Sequence, residues 1–247
     1  DTESLVAVGP GIERVAEEAA ERFPDARRVI LSSDMGSHAQ LRQRFAEIER
    51  GEYDLIIGTQ LVSKGHHFEK LSVVGVLDAD LGLAHGDPRA AEKTFQILTQ
   101  VAGRAGRTSR HGQAFLQTYH PDHPVMRAMI TGDREAFYAH ELAAREAGGM
   151  PPFGRLAALI VSANEHAVAM GFAKSLLSAA PMAEGVRLFG PADAPVAQIR
   201  GRHRVRLLAQ SGKDFDLSGY VRFWLAMAEK VTGNLKVQVD IDPMSFM

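Results

Sequence analysis

Hydrophobic residues arrive along this chain in two rhythms. Short continuous apolar runs at Leu5–Val8, Val29–Leu31, Leu55–Ile57 and Val73–Leu77 read as buried strands. Between them, Ile12, Val15, Ala19 and Phe23 recur at helical spacing, and residues 37–50 place Leu41, Phe45 and Ile48 on one face with Gly51 as the stop. Asp87 as cap and Pro88 as first helical residue open a third helical stretch that runs to Arg107, and Ala114–Thr118 follows as another strand. Apolar strands alternating with helices predict a parallel α/β sheet, whose ligands sit beyond the C-terminal strand ends.

The rhythm changes after Pro124. Residues 124–148 read as helical, and Gly148-Gly149-Met150-Pro151-Pro152-Phe153-Gly154 is a dense cluster of breakers. Beyond it the pattern predicts strand 155–162, helix 165–180, strand 186–189, strand 202–209, helix 214–231 and strand 235–241. That βαββαβ order is the ferredoxin-like split arrangement. The expected organisation is an α/β lobe over 1–120, a helical connector over 121–150 and a smaller α+β domain over 151–247.

Composition narrows the chemistry. With 45% hydrophobic and 23% charged residues in 247, the chain reads as one or two soluble globular domains. A formal charge of −2 leaves any polyanion site to a local patch. The absence of cysteine excludes disulfides and thiolate zinc sites within the stretch. No apolar run is long enough to span a bilayer and no signal peptide is visible, so the cytoplasm is the expected location and no membrane partner is expected. The chain opens on Asp1 with an apolar strand a few residues in, which reads as a piece excised from a longer protein.

The strongest candidate chemistry lies in Gln100-Val101-Ala102-Gly103-Arg104-Ala105-Gly106-Arg107. In a continuous helix Gln100, Arg104 and Arg107 share one face, and Gly103 and Gly106 let another surface come close. Two rigid guanidinium forks and an amide suit phosphate oxygens. A bare Arg-x-x-Arg is more simply a helix end complementing its own dipole. The second candidate is the loop after the third strand, Gly58-Thr59-Gln60-Leu61-Val62-Ser63-Lys64-Gly65-His66-His67-Phe68, where small and hydroxyl residues allow backbone amides to meet a nucleic-acid phosphate. Asp78 and Asp80 follow the fourth strand, where turn capping and ion pairing are expected rather than a metal. His120 and His123 lack the cysteine support of a metal site and read as a turn, with Asp122 as the helix cap. Arg202, Arg204 and Arg206 lie on one strand face and His203, Val205 and Leu207 on the other. The arginines repel one another unless an anion or acidic neighbours sit there; Asp240 and Asp242 are internal candidates if their strand is adjacent.

The spacing Gln-x-x-Gly-Arg-x-Gly-Arg resembles motif VI of superfamily 2 helicases, and Gly-Thr-Gln-x-x-x-Lys-Gly-His-His-Phe resembles motif V in the wording of the primosomal replication-restart helicases of the PriA type. Pro-Pro-Phe-Gly-Arg at 151–155, Gly-Pro-x-x-Ala-Pro at 190–195, the Arg-Gly-Arg segment and Asp-Pro-Met-Ser-Phe at 242–246 resemble the C-terminal domain of the same family. Gly9-Pro10-Gly11-Ile12-Glu13 and Ser32-Ser33-Asp34 depart from its pattern. The resemblance implies a RecA-like second helicase lobe followed by a ferredoxin-like domain. It implies an ATP-dependent 3′-to-5′ DNA helicase that recognises stalled or branched forks and restarts replication through primosome assembly.

Several roles are likewise implied by the resemblance. Arg104 and Arg107 reach ATP across a cleft with Gln100 beside them, and Gly65 belongs to the same nucleotide-facing region. Thr59, Gln60, Lys64 and His66 face forked or single-stranded DNA. Arg202, Arg206 and Arg204 are candidates for a pocket that takes the acidic tail of single-stranded DNA-binding protein, alongside other primosome proteins as partners. No Gly-x-x-x-x-Gly-Lys-Ser/Thr and no Asp-Glu-x-His occurs in the sequence, so the phosphate loop and magnesium ligands are expected on another lobe. The family's zinc module is expected upstream, with no metal inside this stretch. The fragment by itself is expected to be inactive; the alternatives are a non-catalytic module binding DNA or single-stranded DNA-binding protein, or part of another superfamily 2 repair translocase.

Overall fold

The computed structural model describes residues 11–32, 38–59, 68, 70–83, 87–105, 112–228 and 230–246. The chain divides into two compact units, Asp1–Ala84 with Ala91–Gly132, and His85–Ala90 with Asp133–Met247. Among the described residues no helix is long and apolar enough to cross a membrane.

The first unit carries α1 (Ile12–Arg22), β1 (Arg28–Leu31), α2 (His38–Arg50), β2 (Leu55–Gly58), β3 (Val73–Val76), most of α3 (Ala90–Ala102), β4 (Gln113–Leu116) and α4 (Pro124–Thr131). Strand β1 pairs parallel with β2 from Arg28↔Leu55 to Leu31↔Gly58, with α2 as the crossover. Strand β3 pairs parallel with β4 from Val73↔Gln113 to Val76↔Leu116, with α3 as the crossover. The parallel pairing expected from apolar runs is present as two two-stranded sheets. The expected strand at Leu5–Val8 lies outside the described residues. Phe45 and Ile48 of α2 are buried with Val29, Leu31 and Phe68, and Leu41 packs against them. The 3.6-residue period therefore placed this face correctly. Phe23 is an exception: α1 stops at Arg22, so the ring leaves the helix face and is exposed.

Several helix boundaries differ from the sequence reading. Helix α3 starts at Ala90 because Asp87 closes a turn first: its carboxylate accepts from Arg89 N (2.9 Å) and its carbonyl from Ala90 N (3.0 Å). The helical stretch 124–148 is two helices, α4 and α5 (Arg134–Ala147). Gly132 takes φ 72°, a left-handed conformation that ends α4, and the Asp133 carboxylate then accepts from Ala136 N to start α5. The cap of α4 is His123, whose Nδ1 accepts from Val125 N, rather than Asp122.

Asp80 illustrates capping after β3. Its carboxylate accepts from Thr118 Oγ1 and Tyr119 N, both at 2.6 Å, tying the turn to the end of β4. Burial pushes its pKa up, but these two bonds, aided by His120 and His123, outweigh burial and hold it below the ordinary value. A depressed folded pKa means the carboxylate's stabilisation is complete above the unfolded value near 4 and is lost as pH falls through the depressed value. Asp80→Asn is expected to lower the thermal midpoint at pH 7 and to shrink that deficit in acid; a deficit constant from pH 7 to pH 2 contradicts the account.

The second unit begins with α5 and continues as β5 (Gly154–Ala163), α6 (His166–Ser178), β6 (Arg187–Ile199), β7 (Arg202–Gly212), α7 (Leu217–Met227) and β8 (Lys236–Ile241). The sheet order is β6-β7-β5-β8 with every pairing antiparallel. First and third strands of the βαββαβ run are thus central, which is the split arrangement. Ala157, Leu159 and Val161 of β5 and Val205, Leu207 and Ala209 of β7 face Ala169, Ala173 and Leu176 of α6 and Val221 and Trp224 of α7. The opposite parity, Leu156, Ala158 and Leu208, packs with Met150 and Phe246. Strand β6 is longer than the expected 186–189 because Pro191 and Pro195 are tolerated on an edge strand, at the cost of register shifts.

Candidate functional site

Three of the sequence-predicted positions among the described residues, Thr59, Gln100 and Arg104, fall near strand or helix ends of the first unit. Thr59 follows β2, is exposed, and donates its N–H to Leu31 O (3.4 Å), continuing the β1–β2 ladder by one step. Gln60, Lys64, Gly65 and His66 lie outside the described residues. Gln100 sits on the exposed side of α3, opposite the buried Thr94, Phe95 and Leu98.

The expected single helix from Gln100 to Arg107 is not continuous. Helix α3 ends at Ala102, and residues 103–105 are a turn. Gly103 N still bonds Thr99 O (2.9 Å), four residues back, but Arg104 N bonds Val101 O (3.0 Å) and Ala105 N bonds Ala102 O (3.2 Å), three residues back. The backbone tightens as glycine enters, since glycine is a poor helix former and a frequent terminator. A Cβ at Gly103 would stand 3.1 Å from Thr99 O, tighter than a side chain sits without a local shift. Arg104 is half-buried on this tightened turn, so its direction is set by the turn and not by a helical face. Arg107 lies outside the described residues.

The acidic segment behaves as a turn. Asp78 adopts φ 52° and Asp80 is occupied by Thr118 and Tyr119 as above. Among the described residues no group of three or more His or acidic side chains is placed to hold a metal ion.

In the second unit the arginine stripe lies on the sheet face away from α6 and α7, as the period-2 reading expects, since Val205 and Leu207 point to the helices. The three side chains have different fates. Arg202 donates to Ser162 O (2.8 Å), to Asn164 Oδ1 (3.1 Å) and to Asn234 O. Arg204 makes one long bond, to Val196 O at 3.3 Å. The Arg206 guanidinium lies 4.2 Å from the centre of the Phe246 ring. Burial lowers its pKa while the charge of Asp87 works in the opposite direction. The proposed internal partners do not serve the stripe. Strand β8 is next to β5 rather than β7, and Asp242 pairs with Arg155 at 2.7 Å. Carbonyl oxygens and an aromatic face do much of the work the sequence reading assigned to carboxylates.

A further cluster was not anticipated. The segment 85–90 belongs to the second unit although both its sequence neighbours belong to the first. Ser245 Oγ donates to Asp87 Oδ2 (2.7 Å), and Arg145 Nη2 donates to Pro88 O (3.0 Å). Arg145 also donates to Pro151 O (3.2 Å) and Glu141 Oε1 (3.0 Å). The only sequence signal was the i, i+4 spacing of Glu141 and Arg145, which predicts a helix-surface pair and nothing about distant carbonyls.

Comparison with known proteins covers the same ground. Residues 146–244 match the family model described as primosomal protein N C-terminal domain. The whole chain is 40% identical over 247 residues to the replication restart protein PriA of Rickettsia conorii, and spans 38% of that protein's length. It is 35% identical over 252 residues to the PriA of Bacillus subtilis, spanning 31% of it. To the PriA of Haemophilus influenzae, 97% of the chain aligns at 31% identity, spanning 33% of that relative.

Proposed function

From the membership of this chain in the PriA family of replication restart proteins, we infer that it supplies a RecA-like second lobe and the C-terminal domain of an ATP-dependent DNA helicase. The observation that carries this reading is similarity along the full 247 residues at 40% identity. Parallel crossovers β1–α2–β2 and β3–α3–β4 support it, because a nucleotide-handling lobe is built from such units. The helicase acts on forked or single-stranded DNA at arrested replication, with primosome proteins as partners.

In this mechanism ATP and magnesium are held by another lobe, with its phosphate loop, and this chain contributes fixed positive charge. Arg104, on the turn after α3, and Arg107 neutralise charge that grows on the phosphates during hydrolysis. Gln100, on the exposed side of α3, orients beside them. Thr59 and the following Gln60, Lys64, Gly65 and His66 track the DNA backbone and the nucleotide cleft. Unit two binds branched DNA and the acidic tail of single-stranded DNA-binding protein. Of its stripe, Arg206 keeps the most donor capacity, since its guanidinium stacks on Phe246 and its buried Nη1 has no hydrogen-bond partner, whereas Arg204 has a single 3.3 Å carbonyl contact and Arg202 is engaged by four oxygens.

Titrating forked DNA, an acidic tail peptide and ATP separately against the 247-residue chain tests the reading. The chain is expected to bind DNA with an affinity that falls steeply with added salt, and to turn over no ATP. Robust hydrolysis by this chain alone, or salt-insensitive DNA binding, overturns it.

A further inference from the structure

We propose that a small cavity on the sheet of the second unit binds one unpaired guanine base of a DNA strand, with Arg187 reading its edge; the proposal rests on the DNA-binding reading above and adds base selectivity to it.

The cavity lies at one end of the sheet, where β5 starts and β7 ends. Gly154 and Gly212 are register partners there, and Gly149, Phe153, Arg187 and Gln210 line the cavity with them. Arg187 of β6 pairs with Gln210 of β7, so both side chains stand on the sheet face that carries Arg204 and Arg206. At about 130 Å³ the cavity falls below the range of drug-sized ligand sites, so it suits a single base rather than a whole nucleotide.

Its charged group is held from inside the fold. Gln210 is 5% exposed. Its amide nitrogen donates to Gly148 O (2.7 Å) and Gly149 O (2.8 Å), which turns Oε1 toward Arg187, where it accepts from Nη2 (2.8 Å). The loop carbonyls reach the amide because Gly149 adopts φ 60° and because residue 154 is glycine, where a Cβ would overlap Gly149 O. Among the described residues Arg187 makes no other hydrogen bond and no ion pair; its Cζ lies 5.8 Å from the centre of the exposed Phe189 ring. Nη2 belongs to both two-pronged faces of a guanidinium, one shared with Nε and one with Nη1. Whichever Nη2 hydrogen Gln210 takes, the other face keeps both prongs. A guanidinium that only meets water needs no buried amide to aim it, whereas one that meets a planar pair of acceptors does.

Guanine presents such a pair in O6 and N7, and an arginine fork on them is the commonest base-specific contact. An unpaired base also needs an aromatic face to stack on. Phe153 in the cavity wall and Phe189 beside the guanidinium supply one, and both rings are exposed. A phosphate would accept the same two prongs, but the aromatic rings offer it nothing. The Gly149 and Gly154 amides are spent on Glu146 O and Met150 O, so the loop gives an anion no nest of free N–H groups.

The test measures binding of the 247-residue chain to a forked DNA whose unpaired arm carries guanines. The comparison is the same fork with each guanine replaced by 7-deazaguanine, which lacks the N7 acceptor. Wild-type chain is expected to prefer guanine by about tenfold. Arg187→Lys keeps the charge and loses the fork, so it is expected to bind both forks alike with an unchanged salt dependence. Gly212→Leu tests the cavity separately. Its backbone is one that any residue adopts, and a Cβ there meets nothing within 4 Å, so leucine enters open space on the Gln210 face. It is expected to abolish the preference; Arg187→Lys, at an exposed position, carries the test where leucine disturbs the strand. Equal binding of both forks by wild type overturns the base site and leaves the DNA-binding reading standing. No binding of either fork by wild type overturns both. A preference retained in Arg187→Lys overturns the role of Arg187. Uniform weakening of both forks in Arg187→Ala, with the salt slope reduced by about one, makes Arg187 a phosphate contact and likewise overturns the proposal.

Discussion

On the helicase reading proposed above, replacing Arg104 or Arg107 with alanine in the full-length protein is expected to lower DNA-stimulated ATP hydrolysis by about a thousandfold or more, with DNA affinity nearly unchanged. The magnitude is that of arginine fingers generally, which act on charge developing in the transition state. Interactions made only there change kcat rather than substrate binding. Arg104 stands where α3 has given way to a tightened turn, with Arg104 N bonded to Val101 O and Ala105 N to Ala102 O. A side chain on such a turn moves with the turn, so Gly103→Ala, which would crowd Thr99 O at 3.1 Å, is expected to reproduce part of the Arg104→Ala loss. Arg104→Lys restores little, because a lysine ammonium cannot present the planar fork that engages two phosphate oxygens. Steady-state kinetics with and without DNA decide the matter: wild-type turnover in both alanine variants contradicts the assignment.

Trp224→Ala is expected to cost about 3–5 kcal/mol, enough to lower the melting midpoint of the second unit by roughly 12 °C or more. Trp224 is fully buried beneath the sheet, among Tyr220, Val221 and the α6 alanines. Its indole Nε1 donates to Leu176 O at 2.7 Å, and Leu176 lies in the last turn of α6, where carbonyls lack helix partners. The tryptophan therefore fills volume and satisfies a helix end at once. Trp224→Phe separates the two contributions. It keeps much of the volume, leaves the carbonyl unpaired, and is expected to cost about 1–3 kcal/mol. Calorimetry or denaturant unfolding of both variants checks the order; equal losses contradict the proposed division.

The βαββαβ run was readable because each element announces itself locally. Strand β7 alternates Arg202, Arg204 and Arg206 with His203, Val205 and Leu207, and the structure puts those two sets on opposite faces. The parallel crossovers were readable from apolar runs such as Leu55–Ile57 followed by turn residues. Helix lengths were less legible, and glycine explains two of the misses. Gly132 and Gly103 each stop a periodic pattern that continues past them, because apolar spacing does not register a backbone that turns.

By itself, then, the sequence determined which segments become strands and helices, which faces they bury, and the motif order that ties the chain to its relatives. These are local or pattern properties, encoded in residues three, four or two positions apart. Only the tertiary structure decided that β8 sits beside β5, that Asp242 therefore serves Arg155 and not the arginine stripe, and that Arg206 stacks on the Phe246 ring. It also decided that Arg145 and Ser245 hold a segment more than fifty residues earlier in the chain. Such contacts join backbone carbonyls and side chains distant in sequence. A carbonyl is present at every position, so nothing in the residue types says which one an arginine will find.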